Sequence, residues 1–389
     1  MSHDSWELPE ELRLMRDTTR RFMQSEVKPL EDKLPHDAYE LPEDVLKPLQ
    51  KKARDMGLWC VRTPVEYGGA GLSLLGQAVF AEEAARCRMG AYVPGCGAFG
   101  ADPPNSIYLG TPYQIEKYAV AAAGIGKKVY VAISESSGGA DPARSIRTRA
   151  TRKDGRYVLN GTKMWITGAD GADWGLVFAR TGEQGDRGGI TCFIVNGVPK
   201  GMSIKPIPVI RSYSPYEVHF DNVEIPEEDR LGEEGKGFAV CEKWLIEGRV
   251  PYAAGTIGVA QAALELAIEW ARERETFRTK LADKQAIQWM IADSEMELRA
   301  ARLLTYQAAW QGDLGRDLKV DSSIAKVMAT ETAGRVVDRC IQIFGGLGVS
   351  QELPLERWYR ELRIKRIGEG PSEVHRMVLA RSLLGAPGR

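Results

Sequence analysis

Histidine is scarce. The chain has four in 389 residues, and His3, His36, His219 and His375 form neither HExxH nor any other close ligand pair. A zinc centre is therefore not expected, and no metal ligands are assigned. Cysteine pairs are also lacking. Cys60, Cys87, Cys96, Cys192, Cys241 and Cys340 are scattered without a CxxC. In a chain this long that pattern predicts reduced core thiols, not a disulfide framework. No GxxxxGK[ST] loop and no GxSxG elbow occurs, which excludes a P-loop nucleotide site and a serine-hydrolase nucleophile. GGAGLSLLG has its third glycine misplaced for a dinucleotide fingerprint, and no βαβ alternation surrounds it. No run approaches ~18 apolar residues, so no membrane span is expected. The start, MSHDSWELPEELRLMRD, has early acids and no apolar stretch of signal length. The expected compartment is the cytoplasm, or the mitochondrial matrix if a presequence was removed. Charge of one sign is missing too. With 52 Lys and Arg against 53 Asp and Glu, the net charge is −1, and nothing points to nucleic acid.

What is present is ordinary globular material, 43% hydrophobic and 27% charged. At ~150 residues per domain the length suggests two or three domains. The pattern divides into three zones. Residues 1–126 read as an N-terminal α-helical domain, with Leu12, Met15, Phe22 and Met23 on a helical period. Residues 127–235 read as a middle β domain, a small barrel or sandwich. KVYVAIS, RYVLNG, WGLVFAR, GITCFIVNG and YEVHFDNVEIP are short β-like runs separated by turn clusters such as KDGRY and NGVPKG. Residues 236–389 read as a C-terminal four-helix bundle, where Leu264, Ala267, Ile268 and Ala271 share one face. So do Ile287, Met290, Ile291 and Ser294, and again Val337, Cys340, Ile341 and Phe344. Pro251, early in the first long helix, is expected to kink it. The fold class is α+β.

One stretch raises a chemical question. In RIGEGPSEVHR, residues 366–376, Glu369 stands between two glycines. Glycine on each side lets backbone or ligand approach the glutamate closely. Pro371 suits a first helical position with Gly370 as its cap, and Val374, Met377, Val378 and Arg381 continue a helix. Glu369 would complement the helix dipole there, or serve as a base on a rigid edge. His219, alternating with Val218 and Phe220, reads as a surface or interface histidine, and His375, on the last helix near Glu369, reads the same way.

Five stretches, in order, resemble the flavin-dependent acyl-CoA dehydrogenase family. VYVAISESSGGAD (129–141) is similar to that family's flavin-holding strand and loop, and LNGTKMWITG (159–168) to its Asn-Gly-x-Lys-x-Trp-Ile-Thr. RERETFRTKLADKQAIQ (272–288) carries its Arg-x-x-Phe and Gln-Ala-Ile. CIQIFGGLGV (340–349) and RIGEGPSEVHRMVLAR (366–381) resemble its glycine turn and its closing Glu-Gly-Thr motif. The likeness spans all three zones.

The resemblance implies FAD as cofactor, an acyl-CoA substrate, electron-transfer flavoprotein as electron acceptor, and a homotetramer. It implies Glu369 as the base that removes the α proton while FAD takes the β hydride, with a flavin oxidase or a non-dehydrogenase flavoprotein on the same scaffold as the alternative. The thioester oxygen then needs donors aimed at the developing enolate. For FAD it implies Ile133, Ser134, Gly139, Trp165, Thr167, Arg274, Thr276, Phe277, Gln285, Gln342, Gly345, Gly346, Pro371 and Glu373. Of these, Ser134 and Thr167 offer hydroxyls to the flavin edge, Trp165 a shielding face, and Arg274 a fork for pyrophosphate. Gln342, Gly345 and Gly346 would serve a neighbouring subunit. Arg249 and Gly370 are implied at the substrate. Some members place the base on the first long bundle helix, where GRVPYAAG puts Gly248, which cannot act as one. Glu247 next to it reads as a helix-face charge. Two departures stand out: Ala140 replaces a serine and Pro371 a threonine. The Gly- and Pro-rich CRMGAYVPGCGAFGADPPNSIYLG points to a reshaped acyl pocket.

Overall fold

A computed structural model describes residues 7–183 and 188–385. The chain divides into two compact units. One comprises Met1–Met56, Leu72–Phe99 and Glu247–Arg389, the other Gly57–Gly71 and Gly100–Ile246.

The first unit is helical. Helix α1 (Glu10–Phe22) starts behind Pro9 and runs on through a π-helical turn, Met23–Val27, into Lys28–Glu31. Helix α2 (Glu43–Asp55) starts behind Pro42. Helix α3 (Leu74–Ala84) is capped by Ser73, whose hydroxyl accepts from Gly76 N. GGAGLSLLG thus leads into a helix cap. Helix α4 (Gly237–Glu273) enters this unit at Glu247. It is followed by α5 (Gln285–Asp313), α6 (Lys319–Phe344), α7 (Leu355–Lys365) and α8 (Ser372–Leu383). The predicted faces of α4 to α6 are the buried ones: Leu264, Ala267, Ala271, Val337 and Cys340 are almost fully enclosed, with Ile268, Ile287, Met290 and Ile291 packed against them. Small residues fill much of this core and let helices approach closely. A β-carbon on Gly258 of α4 would collide with the carbonyl oxygen of Glu82 on α3. Helix α4 continues through Pro251, so the proline does not end it.

The second unit holds an eight-stranded sheet. Its strands are β1 (Val129–Ala132), β2 (Arg149–Lys153), β3 (Arg156–Thr167), β4 (Trp174–Arg180), β5 (Ile190–Asn196), β6 (Met202–Pro206), β7 (Pro215–Pro226) and β8 (Arg230–Leu231). The order is β6-β7-β3-β2-β4-β5-β8, with β1 parallel beside β4. KDGRY makes the β2–β3 hairpin, with Asp154 and Gly155 both at positive φ (49° and 72°) as a type I′ turn requires. One face gathers Tyr157, Phe193, Val218 and Phe220 into a barrel-like core. On the other, Trp174, Leu176, Phe178, Cys192 and Ile194 pack against Tyr118 and Ala122 and against Cys241 at the start of α4. Buried on both faces, β4 and β5 read as unbroken apolar runs.

All six cysteines are free and buried. Among the described residues, no helix is long and apolar enough to cross a membrane.

Candidate active site

Glu369 sits in the turn between α7 and α8. Its φ is +54°, a left-handed conformation that a side-chain-bearing residue adopts only at a cost. Gly370 follows at φ +99°, a region open mainly to glycine. The space beside both glycines is tight as well. A β-carbon on Gly370 would meet His375 Nε2 at 3.0 Å, and one on Gly368 would meet the Tyr252 hydroxyl at 3.0 Å. A β-carbon on Gly248 of α4 would lie 3.9 Å from Glu369 Oε2. Gly248 is therefore a neighbour of the carboxylate, with room for a β-carbon and little more on that side. Pro371 is the N-cap and Ser372 the first helical residue. The start falls one residue later than the sequence suggests, because Pro371 itself is extended (ψ 155°) and not helical.

The turn is held through its carbonyls. Glu369 O accepts from Arg249 Nε at 3.2 Å and lies 3.3 Å from His375 Nε2. Lys326 Nζ, on α6, donates to Gly370 O (2.7 Å) and Arg366 O (3.2 Å). Ser323 Oγ lies 3.0 Å from His375 Nδ1 and 2.7 Å from Lys319 O, with one hydrogen to give to either. Lys326 and His375 are both essentially fully buried. Burial lowers the Lys326 ammonium to about 8, against the pull of the Glu369 carboxylate. Burial also lowers His375 to about 4, helped by the Arg249 and Lys326 charges, so the ring is neutral near pH 7. The surface reading of His375 is thus wrong. It faces the turn. His219 is exposed on β7, as the strand pattern suggests, beside Thr162 Oγ1.

A second cluster of predicted residues lies in the β unit. Lys163 is completely buried and reaches from β3 to Ile133 O (3.0 Å) and Glu135 Oε1 (2.7 Å). Burial pushes the Glu135 carboxyl up. The Lys163 ammonium and the N–H groups of Arg147 and Thr148 outweigh this and hold it below the usual range. Met164 N donates to Ser134 O at 2.9 Å. The loop carrying Ile133, Ser134 and the exposed Gly139 is thereby fixed to the strand carrying Trp165. A β-carbon on Gly139 would lie 3.8 Å from Ser134 Oγ. Trp165 is 53% exposed at φ +66°, where the β3–β7 register shifts. A bulge has turned an aromatic out of the core. Thr167 Oγ1 accepts from Arg211 NH2 at 3.0 Å.

The third cluster belongs to the helical unit. Arg274, Thr276 and Phe277 lie on a two-stranded hairpin, Glu275–Thr276 with Thr279–Lys280, and Gln285 begins α5. The hairpin tip places Phe277 and Arg278 both at positive φ (50° and 64°), with Phe277 94% exposed. A bulky, strained, solvated aromatic at a turn tip is an expensive arrangement without a partner. The Arg274 guanidinium lies 5.7 Å from the Trp270 ring centre, and Trp270 stacks on Phe344 at 5.2 Å. This column brings Arg274 toward the α6 terminus, where Gln342, Gly345 and Gly346 are exposed. The buried Trp270 indole N–H has no protein acceptor among the described residues. Glu373 is exposed in the first turn of α8.

Sequence reasoning missed Lys326, Glu135 with Lys163, and Arg211. The signal for Lys326 was a lysine inside SSIAKVMAT, a stretch otherwise free of charge and built of small and apolar residues. A lysine there is costly unless something needs its charge.

Comparison with known proteins covers nearly the whole chain. Residues 9–124, 131–223 and 235–384 match the family descriptions acyl-CoA dehydrogenase N-terminal domain, middle domain and C-terminal domain. The chain is 36% identical over 385 residues to a 3-(aryl)acrylate reductase of Clostridium sporogenes, covering 96% of this chain and 99% of that protein. It is 35% identical over 395 residues to the mitochondrial short-chain specific acyl-CoA dehydrogenase of Rattus norvegicus, covering 98% and 92%. The solved structure of butyryl-CoA dehydrogenase from Megasphaera elsdenii superposes with a TM-score of 0.86 at 31% identity, covering 98% of this chain and 100% of that one.

Proposed function

Because the chain belongs to the acyl-CoA dehydrogenase family, whose enzymes depend on FAD, we propose that it converts an acyl-CoA thioester to the 2-enoyl-CoA with Glu369 as the α-proton base. The observation that carries this reading is the Glu369 turn: a carboxylate on a strained residue between two glycines, next to Gly248 of α4. Strain of this kind collects at functional positions, where the surroundings over-determine it. Arg249 and Gly370 flank the base and would face the substrate.

FAD, when bound, supplies the acceptor for the β hydride. The exposed Trp165 face, the Ser134 and Thr167 hydroxyls, and the backbone at Ile133 and Gly139 suit the isoalloxazine. Buried Arg211 orients Thr167 for that contact. Arg274, packed over the Trp270 ring, suits the pyrophosphate, and Thr276, Phe277 and Gln285 extend that surface. Pro371 and Glu373 would complete the site. Pro371 offers no hydroxyl, so any contact there is through the ring and carbonyl.

Gln342, Gly345 and Gly346 would serve the FAD of a second copy, in a homotetramer. An exposed apolar stripe on α5 supports this. Trp289, Met296, Leu303 and Trp310 are 62%, 61%, 57% and 46% exposed and recur every seventh residue. Seven residues return to nearly the same helix face. Electron-transfer flavoprotein is the proposed acceptor. The cytoplasm or the mitochondrial matrix, both thiol-reducing, suits six free cysteines.

A second reading is reduction of a 2-enoyl or arylacrylyl group. The similarity to a 3-(aryl)acrylate reductase favours it, and the same base and hydride geometry runs in either direction. The test is a panel of saturated and unsaturated acyl-CoAs under anaerobic conditions, with Glu369→Gln as control. Dehydrogenation predicts that a saturated acyl-CoA bleaches the oxidised flavin. Bleaching by none, together with enoyl-CoA-dependent reoxidation of the reduced flavin, favours the reductase.

A further inference from the structure

We propose that Lys326 and His375 are positioning residues for the Glu369 base: together they lock its left-handed turn, and Lys326, bound one peptide away at Gly370 O, serves as its counter-charge. The proposal rests on the base assignment above.

A left-handed glutamate reverts to an ordinary conformation unless its neighbouring peptide planes are pinned. Here two consecutive carbonyls, Glu369 O and Gly370 O, are held by groups from three helices. Arg249 on α4 and His375 on α8 address the first, and Lys326 on α6 addresses the second along with Arg366 O. Fixing both carbonyls fixes the direction in which the Glu369 side chain leaves the backbone. The His375 ring also fills the space beside Gly370, 3.0 Å from where a β-carbon would be.

The two residues differ in charge, and the difference has a use. Glu369 is the strongest charged partner of Lys326. Arg249 opposes the ammonium, and Glu331 and Glu373 support it more weakly. The attraction is mutual, so the ammonium favours the carboxylate over the neutral acid. A base needs its charged form when substrate excludes water. His375 stays neutral between Arg249 and Lys326. It can hold Glu369 O through Nε2–H without adding a third cation, with Nδ1 facing the Ser323 hydroxyl. Lys326 is therefore both clamp and counter-charge, whereas His375 is a clamp alone.

This separation gives the test. Lys326→Met, Lys326→Gln and His375→Gln are compared with wild type as FAD-loaded enzymes. Two quantities are read: the pH dependence of the anaerobic flavin-bleaching rate, and amide hydrogen exchange across residues 366–372. Lys326→Met is expected to slow bleaching at least about ten-fold, move the acid limb up by about one pH unit and speed exchange. Lys326→Gln keeps a donor without the charge, so exchange recovers while the limb stays displaced. His375→Gln speeds exchange and leaves the limb in place. An acid limb at its wild-type position in both Lys326 variants overturns the proposal, as does unchanged exchange in Lys326→Met and His375→Gln. If neither Lys326 variant folds, exchange in His375→Gln decides. Glu369→Gln separates the two levels: if it is inactive while the Lys326 variants behave as wild type, the base stands and this proposal falls. If it turns over normally, the base assignment itself has failed.

Discussion

Glu369 Oε2 and Gly248 are neighbours: a β-carbon added to Gly248 would stand 3.9 Å from that carboxylate oxygen. The distance is an ordinary van der Waals contact, so Gly248→Ala should be tolerated, with kcat within about two-fold of wild type. A Leu at the same position has to occupy the space of the carboxylate or the substrate. Gly248→Leu should therefore lower kcat/KM by about a hundred-fold or more, while FAD content and melting temperature stay near wild type. Steady-state kinetics on both variants checks this. Equal activity of the two would mean the carboxylate does not work beside Gly248.

Trp165 is half in solvent, so its loss should cost the folded sheet little. Trp165→Ala should leave the melting temperature of the FAD-free protein within a few degrees. It should weaken FAD retention by about ten-fold, the scale of one lost stacking contact. Flavin content after gel filtration and a fluorescence titration measure the second effect. A large fall in cofactor-free stability with unchanged FAD affinity would make Trp165 a structural residue.

His375 sets a pH dependence with a definite sign. Its folded pKa is about 4 and the ordinary value 6.5. Between these the unfolded chain binds more protons than the folded one, so stability falls as pH drops from 6.5 toward 4. The window is worth on the order of 3 kcal/mol at most. Melting temperatures across this acid range should fall less steeply on acidification for His375→Gln than for wild type. Parallel curves would contradict a buried neutral imidazole.

The α5 stripe predicts an assembly defect. Leu303→Glu puts a charge in the middle of four exposed apolar residues. Sedimentation of the FAD-loaded protein should show tetramer for wild type and smaller species for the variant. A wild-type profile in Leu303→Glu would remove that face from the interface.

Much of this was legible in the chain because periodicity reports burial. The Leu264–Ala271 and Val337–Phe344 faces enter the core, and Ile287, Met290 and Ile291 pack half-buried against it with Ser294 enclosed. Asp154-Gly155 makes its hairpin because I′ turns need positive φ, and few residues supply it cheaply. Other features resist such reading. Trp165 looks like strand core until a register shift turns it outward. Lys326 and His375 act through carbonyls of a turn, and for Lys326 that turn lies far along the chain, a distance no local pattern encodes. Glu135 and Lys163 each stand inside a matched motif, but nothing local in either stretch shows that they pair.

Whether the Glu369 carboxylate removes the α proton is tested most directly by one mixing experiment. FAD-loaded Glu369→Gln is mixed anaerobically with an acyl-CoA that bleaches the wild-type flavin. The expected result is a correctly folded, yellow protein that binds the ligand, with bleaching slowed by at least about a thousand-fold. Bleaching at close to the wild-type rate would contradict the assignment.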